Sequence, residues 1–137
     1  MKTPLIKRGV FPFKTVFTKG AAMLGKLQEV NIKEDMPTVS NAIKRVTFHL
    51  SRSKALGYTA IKIIHGYGSS GKGGGIRTET RAYLQRQKNA RVIKDFIPGE
   101  QFSIFNDATR NAFALCDDLR RDCDLERSNN GITIVIL

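Results

Sequence analysis

The sequence predicts an α/β fold in which four strands alternate with three helices in the order β-α-β-α-β-α-β. Three observations carry this expectation. Short runs rich in β-branched residues alternate with amphipathic stretches of helical period, and one buried-strand pattern, Ala60-Ile61-Lys62-Ile63-Ile64, leads into a glycine-rich loop and then a helix. The last segment, Ile132-Thr133-Ile134-Val135-Ile136-Leu137, is apolar and β-branched at nearly every position, as in a strand covered on both faces. With 137 residues, 41% of them hydrophobic and 26% charged, the chain can bury a single core without disulfides or metal.

Residues 1–26 read as a basic arm set apart from a domain spanning 27–137. Pro4, Gly9, Pro12, Gly20 and Gly25 interrupt it, and Val10, Phe11, Phe13, Val16 and Phe17 fit neither helical nor strand spacing. Three roles stay open for the arm: a disordered leader, a contact to nucleic acid, or a segment docking on the domain or a second subunit. The domain opens with Leu27-Gln28-Glu29-Val30-Asn31-Ile32, whose Val30 and Ile32 alternate as in a short strand. Pro37 suits a first helical turn, and Val39, Ala42, Ile43, Val46 and Leu50 make one helical stripe that should stop near Gly57. After the Ala60–Ile64 strand and its loop, a second helix is expected from about Ile76 to Lys88. In it Ile76, Thr80, Tyr83 and Leu84 face inward, while Arg77, Arg81 and Arg86 face mostly outward.

Arg91-Val92-Ile93-Lys94-Asp95-Phe96-Ile97 predicts a third strand closed by Pro98-Gly99. Asn106 or Asp107 can cap a third helix in which Ala108, Ala112, Leu115, Cys116 and Leu119 share a face. Asn129-Asn130-Gly131 marks a turn before the last strand. The first two crossovers are long enough for parallel neighbours.

Lys and Arg number 23 against 12 Asp and Glu, a formal charge of +11 and a sequence pI near 10.1. Such an excess favours polyanionic partners. It is uneven. Residues 1–26 hold six basic and no acidic residues, residues 27–99 thirteen against five, and residues 100–137 four against seven, so a polyanion face belongs to the first hundred residues. No apolar run approaches the roughly 18 to 20 residues of a membrane span and no signal-peptide pattern opens the chain; the expected location is cytoplasmic, with no membrane partner. Cys116 and Cys123 match no zinc-ligand spacing and read as structural or free thiols rather than a disulfide or metal site. No metal site is expected, and the sequence leaves any cofactor unknown. Asp117, Asp118, Asp122, Asp124 and Glu126, interleaved with Arg120, Arg121 and Arg127, read as a solvated helix end. A calcium loop fits less well, because Arg127 stands where that loop needs glycine and no Glu stands at its twelfth position. His49 reads as a packing or surface residue.

The most distinctive stretch is His65-Gly66-Tyr67-Gly68-Ser69-Ser70-Gly71-Lys72-Gly73-Gly74-Gly75. Strand, glycine-rich loop and helix together aim backbone N–H groups and the positive end of a helix dipole at an anion. Gly66-x-x-x-x-Gly71-Lys72 fills most of a P-loop, but Gly73 stands where a Ser or Thr must reach magnesium, which argues against nucleoside triphosphate hydrolysis. Two readings remain. The glycines can be simple turn formers. His65, at the carboxyl end of a buried strand, lies where ligands bind in open α/β sheets and can serve as an acid or base. Lys62, Lys72 and Arg77 would then surround a phosphodiester, with Tyr67 stacking on a base or sugar.

These residues resemble the Smr (small MutS-related) domain family. Ile63-Ile64-His65-Gly66-Tyr67-Gly68-Ser69-Ser70-Gly71 is similar to its His-Gly-x-Gly motif, Ile76-Arg77 and Tyr83-Leu84 to the helix that follows, and Gly131-Ile132-Thr133-Ile134-Val135 to its closing Gly-x-Thr-x-Val strand. The resemblance covers about residues 27–137 and is closest to small, stand-alone bacterial members. It implies a two-layer sandwich with a four-stranded mixed sheet, similar to the C-terminal domain of bacterial translation initiation factor three. It also implies nucleic-acid binding, often with endonuclease activity. The first strand departs from the family. Where the family carries Leu-Asp-x-His-Gly, this chain has Val30-Asn31-Ile32-Lys33-Glu34, which replaces a carboxylate by an amide and a titratable base by a fixed cation. Lys33 suits holding a phosphate better than moving a proton; Glu34 and Asp35 offer nearby carboxylates. The stretch from Glu100 to Asn129 is longer than the family's last connection, so the third helix reads as an elaboration.

The expected function is binding of RNA or of structured or branched DNA. Phosphates would be contacted by Lys33, Gly66, Tyr67, Gly68, Ser69, Ser70, Gly71, Lys72, Arg77 and Arg81. One alternative is an active endonuclease, a phosphodiester hydrolase with His65 as the catalytic acid or base. Another is a protein-interaction module that joins the ribosome or repair machinery. RNA against DNA and the oligomeric state stay open.

Overall fold

A computed structural model describes residues 25–67 and 73–137. The arm up to residue 24 and the loop residues Gly68, Ser69, Ser70, Gly71 and Lys72 lie outside the described residues. The elements are β1 (Leu27–Asn31), α1 (Val39–Ala55), β2 (Ala60–Ile64), α2 (Gly73–Asn89), β3 (Asp95–Pro98), α3 (Asp107–Leu115) and β4 (Ile132–Ile136), with 3-10 turns at Gly99–Gln101 and Asp117–Arg121. The expected α/β order is present. So is the mixed four-stranded sheet, in the spatial order β1-β2-β4-β3.

β1 and β2 run parallel with Val30 opposite Ile63, whereas β4 is antiparallel to both β2 and β3. β3 is therefore not a neighbour of β2, because β4 lies between them. The pattern of β4 explains its place: all five of its residues are buried, a burial that only a central strand covered on both faces achieves. On one face Val30, Ile32, Ile61, Ile63, Val135 and Leu137 pack against Ala42, Val46 and Leu50 of α1 and Ile76 and Leu84 of α2. This sheet and helix pair form the two-layer sandwich. On the other face Ala60, Ile97, Ile132, Ile134 and Ile136 meet Phe102, Ala112, Phe113, Cys116 and Leu119 from α3 and the segments around it.

Local chemistry sets the helix ends. Thr38 caps α1 by accepting the Asn41 N–H at 3.2 Å, so Pro37 precedes the cap instead of opening the first turn. At the other end the Tyr58 N–H donates to the Ser53 carbonyl at 3.0 Å and the Gly57 N–H to that of Lys54 at 3.1 Å, a Schellman arrangement that needs the left-handed φ of +89° at Gly57. No atom lies within 4 Å of where a Gly57 side chain would begin, so the cost of a Cβ is purely conformational. Gly57→Ala should lower stability by about 1 kcal/mol, read as a lower urea midpoint at unchanged slope.

The start of α2 moves from the expected Ile76 back to Gly73, and two further expected boundaries shift. β3 begins at Asp95, not Arg91, because α2 runs on to Asn89 and the chain reverses through Arg91 at φ +63°. Ile93 still enters the core while Val92 is exposed. Asn106 caps α3 by accepting the Thr109 N–H at 2.9 Å, but the buried face is Thr109, Ala112 and Phe113. The helix ends at Leu115, which is exposed, and Cys116 and Leu119 reach the core from the turn beyond it.

Candidate nucleic-acid interface

The parallel pair places the carboxyl ends of β1 and β2 side by side, and the Ile32 N–H extends their ladder by donating to the Ile64 carbonyl at 3.1 Å. Asn31 then turns the chain, its side-chain oxygen accepting the Lys33 N–H at 2.9 Å. Lys33 is exposed and its stem lies over Gly66, where a Cβ would come within 3.2 Å of Lys33 Cδ. Gly66 has φ +83°, a turn that glycine adopts without strain. The N–H groups of His65 and Gly66 both donate to the Gly131 carbonyl at 3.0 Å, which fastens the start of the loop to the turn before β4. Gly131 also leaves room for the Tyr67 ring, since a Cβ there would lie 3.2 Å from Tyr67 Cε1. Tyr67 is nevertheless 59% exposed. Arg77, in the first turns of α2, donates to the Tyr67 carbonyl at 2.9 Å. Lys33, Gly66, Tyr67 and Arg77 thus share one edge, and Glu34 and Asp35 are exposed beside it.

His65 lies just beneath this edge and is 2% exposed. Its Nδ1 is 3.0 Å from the Gly66 carbonyl and its Nε2 is 2.8 Å from Thr133 Oγ1. A carbonyl can only accept, so the ring proton sits on Nδ1 and the Thr133 hydroxyl donates to Nε2. Burial pushes the His65 pKa down to about 4; the charges of Arg81 and Arg77 act in the same direction, and the Gly66 carbonyl and Glu100 oppose them. At neutral pH the imidazole is uncharged and both nitrogens are engaged, an arrangement suited to holding the loop in place.

Arg81 differs from the outward position expected of it. Its Nε donates to Thr133 Oγ1 at 3.1 Å, its terminal nitrogens bind both oxygens of Glu100 at 2.8 Å, and Nη2 also donates to the Ile132 carbonyl at 3.1 Å. Burial raises the Glu100 pKa, but the Arg81 hydrogen bond and charge outweigh it and hold the carboxyl below its ordinary value. Arg81 therefore fixes β4 and Thr133 under His65, and its charge is already balanced. Helix α2 turns by about 100° per residue, which places Arg81 beside buried Thr80 at the border of the packed face.

Lys62 also differs. Strand alternation puts it with Ala60 and Ile64 on the α3 side of the sheet, 3% exposed, away from Gly66 and Tyr67. Its ammonium meets Asp122 at 3.1 Å, contacts Asp124, and lies 3.7 Å from the exposed Glu29. Burial opposes its charge, yet the hydrogen bonds of Asp124 and Asp122 more than compensate and hold its pKa well above the usual lysine value. Asp122 and Asp124 are thus the counter-charges of a buried lysine, which corrects the reading of the whole acidic cluster as a solvated helix end. Asp117 and Asp118 do pair with Arg120 and Arg121 as expected. Asp122, Asp124 and Cys123 are close enough together to suit a cation, but the Lys62 ammonium already fills that role. The only sequence signal was a lysine flanked by isoleucines in a buried strand, since its Asp-x-Asp partner lies 60 residues further along the chain.

Charge segregates across the sheet. α1 carries four basic residues and no acidic one, and α2 four basic against Glu79. Among the described residues Lys33, Lys44, Arg45, Arg52, Arg77 and Arg86 pair with no carboxylate, whereas Lys62, Arg81, Lys88, Arg110, Arg120 and Arg121 all do. These six belong to the helical layer and the edge at Gly66, although Lys26, Lys54, Arg91 and Arg127 also pair with no carboxylate; the balanced cations lie mostly on the α3 side.

Fold and site define an α/β sandwich with a cationic loop edge at the carboxyl ends of its parallel strands. Comparison with protein-family models, curated proteins and solved structures returns no match to this chain. Among the described residues no helix is long and apolar enough to cross a membrane.

Proposed function

We propose that this chain is an Smr-like nucleic-acid-binding domain that contacts phosphates through Lys33, the Gly66–Tyr67 turn and Arg77, with binding rather than cleavage as its main activity. The observation that carries this reading is that Lys33 and Arg77 share the Gly66 edge and neither has a carboxylate partner among the described residues. Such cations can neutralise phosphates without first breaking internal ion pairs, and each phosphate neutralised releases counterion. The bound, neutral state of His65 supports a role in shaping the loop. The loop beyond Tyr67 is expected to add Gly68, Ser69, Ser70, Gly71 and Lys72 to the contact.

Fluorescence anisotropy on labelled hairpin RNA, single-stranded RNA and branched DNA tests it. Affinity should fall steeply between 50 and 200 mM salt, and Lys33→Ala with Arg77→Ala should flatten the logarithmic slope by about 2. Salt-insensitive binding would overturn the proposal. The same samples run on a denaturing gel should show no product that depends on His65. Cleavage present in wild type and lost in His65→Gln would establish the endonuclease alternative, and capture of a protein that survives nuclease treatment would favour the interaction module at the ribosome or repair machinery.

A further inference from the structure

Helix α1 turns a second, separate surface outward. Ala42, Val46, Leu50 and Ser53 are buried against the sheet, so the opposite side presents Lys44, Phe48 and Arg52, one turn apart in a single row. Phe48 is 58% exposed, a large ring directed away from the core. A single exposed apolar residue is ordinary, but this one lies between two cations that have no carboxylate partner among the described residues. A third such cation is held close by. The Tyr83 ring of α2 receives the Arg86 guanidinium 5.8 Å from its centroid, and the Tyr83 hydroxyl lies 2.7 Å from Thr47 Oγ1, the residue preceding Phe48. Arg86 is thereby held on the α2 side of α1, through Tyr83 and Thr47.

The surface is also continuous with the loop edge. A Cβ at Gly75, near the start of α2, would lie 3.3 Å from Val39 at the start of α1. Both helices therefore begin at the Gly66 edge, and Phe48 lies about 13 Å further along α1 at 1.5 Å per residue. An aromatic face interleaved with cations is the chemistry of unpaired bases stacking while their phosphates are neutralised; a duplex hides its base faces and offers only its backbone.

We propose that the Lys44-Phe48-Arg52 row with Arg86 is a track for single-stranded nucleic acid, with Phe48 as the base-stacking platform. This rests on the nucleic-acid reading and adds a preference for unpaired strands.

The test is anisotropy of the full chain with labelled single-stranded RNA, single-stranded DNA and a duplex of equal length, using wild type, Phe48→Ala, Phe48→Tyr and Arg86→Ala. Phe48→Ala should weaken single-strand binding about tenfold, more than any loss on the duplex and at unchanged salt slope. Phe48→Tyr should keep the wild-type affinity, and Arg86→Ala should flatten the slope by about 1. The RNA and DNA arms show which sugar is preferred. Equal single-strand affinities for wild type and Phe48→Ala, with wild-type binding still salt-sensitive, overturn the track and leave the edge site standing. So does a Phe48→Ala variant whose main change is dissociation of a dimer in sedimentation, or loss of binding to anionic vesicles alone. No salt-sensitive binding by wild type to any of the three ligands overturns both proposals.

Discussion

Replacing Asp122 and Asp124 together by Asn should destabilise the domain by about 3–5 kcal/mol, a loss that chemical denaturation reads directly. The size of the effect comes from Lys62. Its side chain is 3% exposed and its close counter-charges are these two carboxylates, themselves largely buried. Glu29 is 3.7 Å away and mostly in water, so its contribution is screened. With both aspartates neutral the lysine must either stay charged without a partner or give up its proton, and each costs free energy. Adding Lys62→Met to the Asn pair should recover most of the loss, because an apolar side chain of similar length suits the strand between Ile61 and Ile63. A triple variant no more stable than the double would show that the aspartates act through the surrounding turn, where the Asp124 N–H donates to Asp122 at 3.0 Å and Asn129 to Asp124 at 2.9 Å.

The second large effect is acid destabilisation through His65. Its pKa falls from 6.5 in the unfolded chain to about 4 in the fold, so the unfolded state binds the proton more tightly. The stability that neutral His65 contributes is complete above pH 6.5 and is lost as the pH falls through 4. The full loss is roughly 3 kcal/mol at 1.36 kcal/mol per pH unit. Protonation would also set an N–H on Nε2 against the Thr133 hydroxyl and a second cation beside Arg81. His65→Gln has no such titration and should flatten the dependence of unfolding free energy on pH between 6.5 and 4, relative to wild type. Parallel curves for the two proteins would show that His65 keeps an ordinary pKa, and would reopen proton transfer by it near neutrality.

What could be read in the sequence was what depends on local period. The stripe of Val46 and Leu50, the cap at Asn106, the stop at Gly57 and the covered strand at 132–136 all follow from neighbours within a turn or two. What could not be read depends on distant partners. Thr133, which engages Nε2 of His65, returns from 68 residues away, and no pattern around His65 foretells it. Lys62 looked like a phosphate ligand because its proximity to the loop in sequence says nothing about which face it takes. Arg81 looked solvated because a border position resembles an exposed one until Glu100 is placed opposite it. Val92 and Ile93 have strand chemistry, but the reversal at Arg91 gives them other work. Lys33, Gly66, Tyr67 and Arg77 share one edge because their placement follows from the parallel β1–β2 pair, two consecutive strands, and from the start of α2, the helix next in the chain.

The position of β4 also bears on how the chain assembles. It is last in sequence and central in the sheet, and its partners on β2 lie more than sixty residues earlier. During synthesis the β1–β2 pair and β3 have no common neighbour until residue 136 has left the ribosome, so the sheet closes only after all three other strands have been made. Pairing over such separations slows folding, and the exposed edge of β2 waits meanwhile as a strand able to pair with another chain. The growing polypeptide therefore passes through an aggregation-prone interval that the finished domain, with β2 enclosed between β1 and β4, no longer shows.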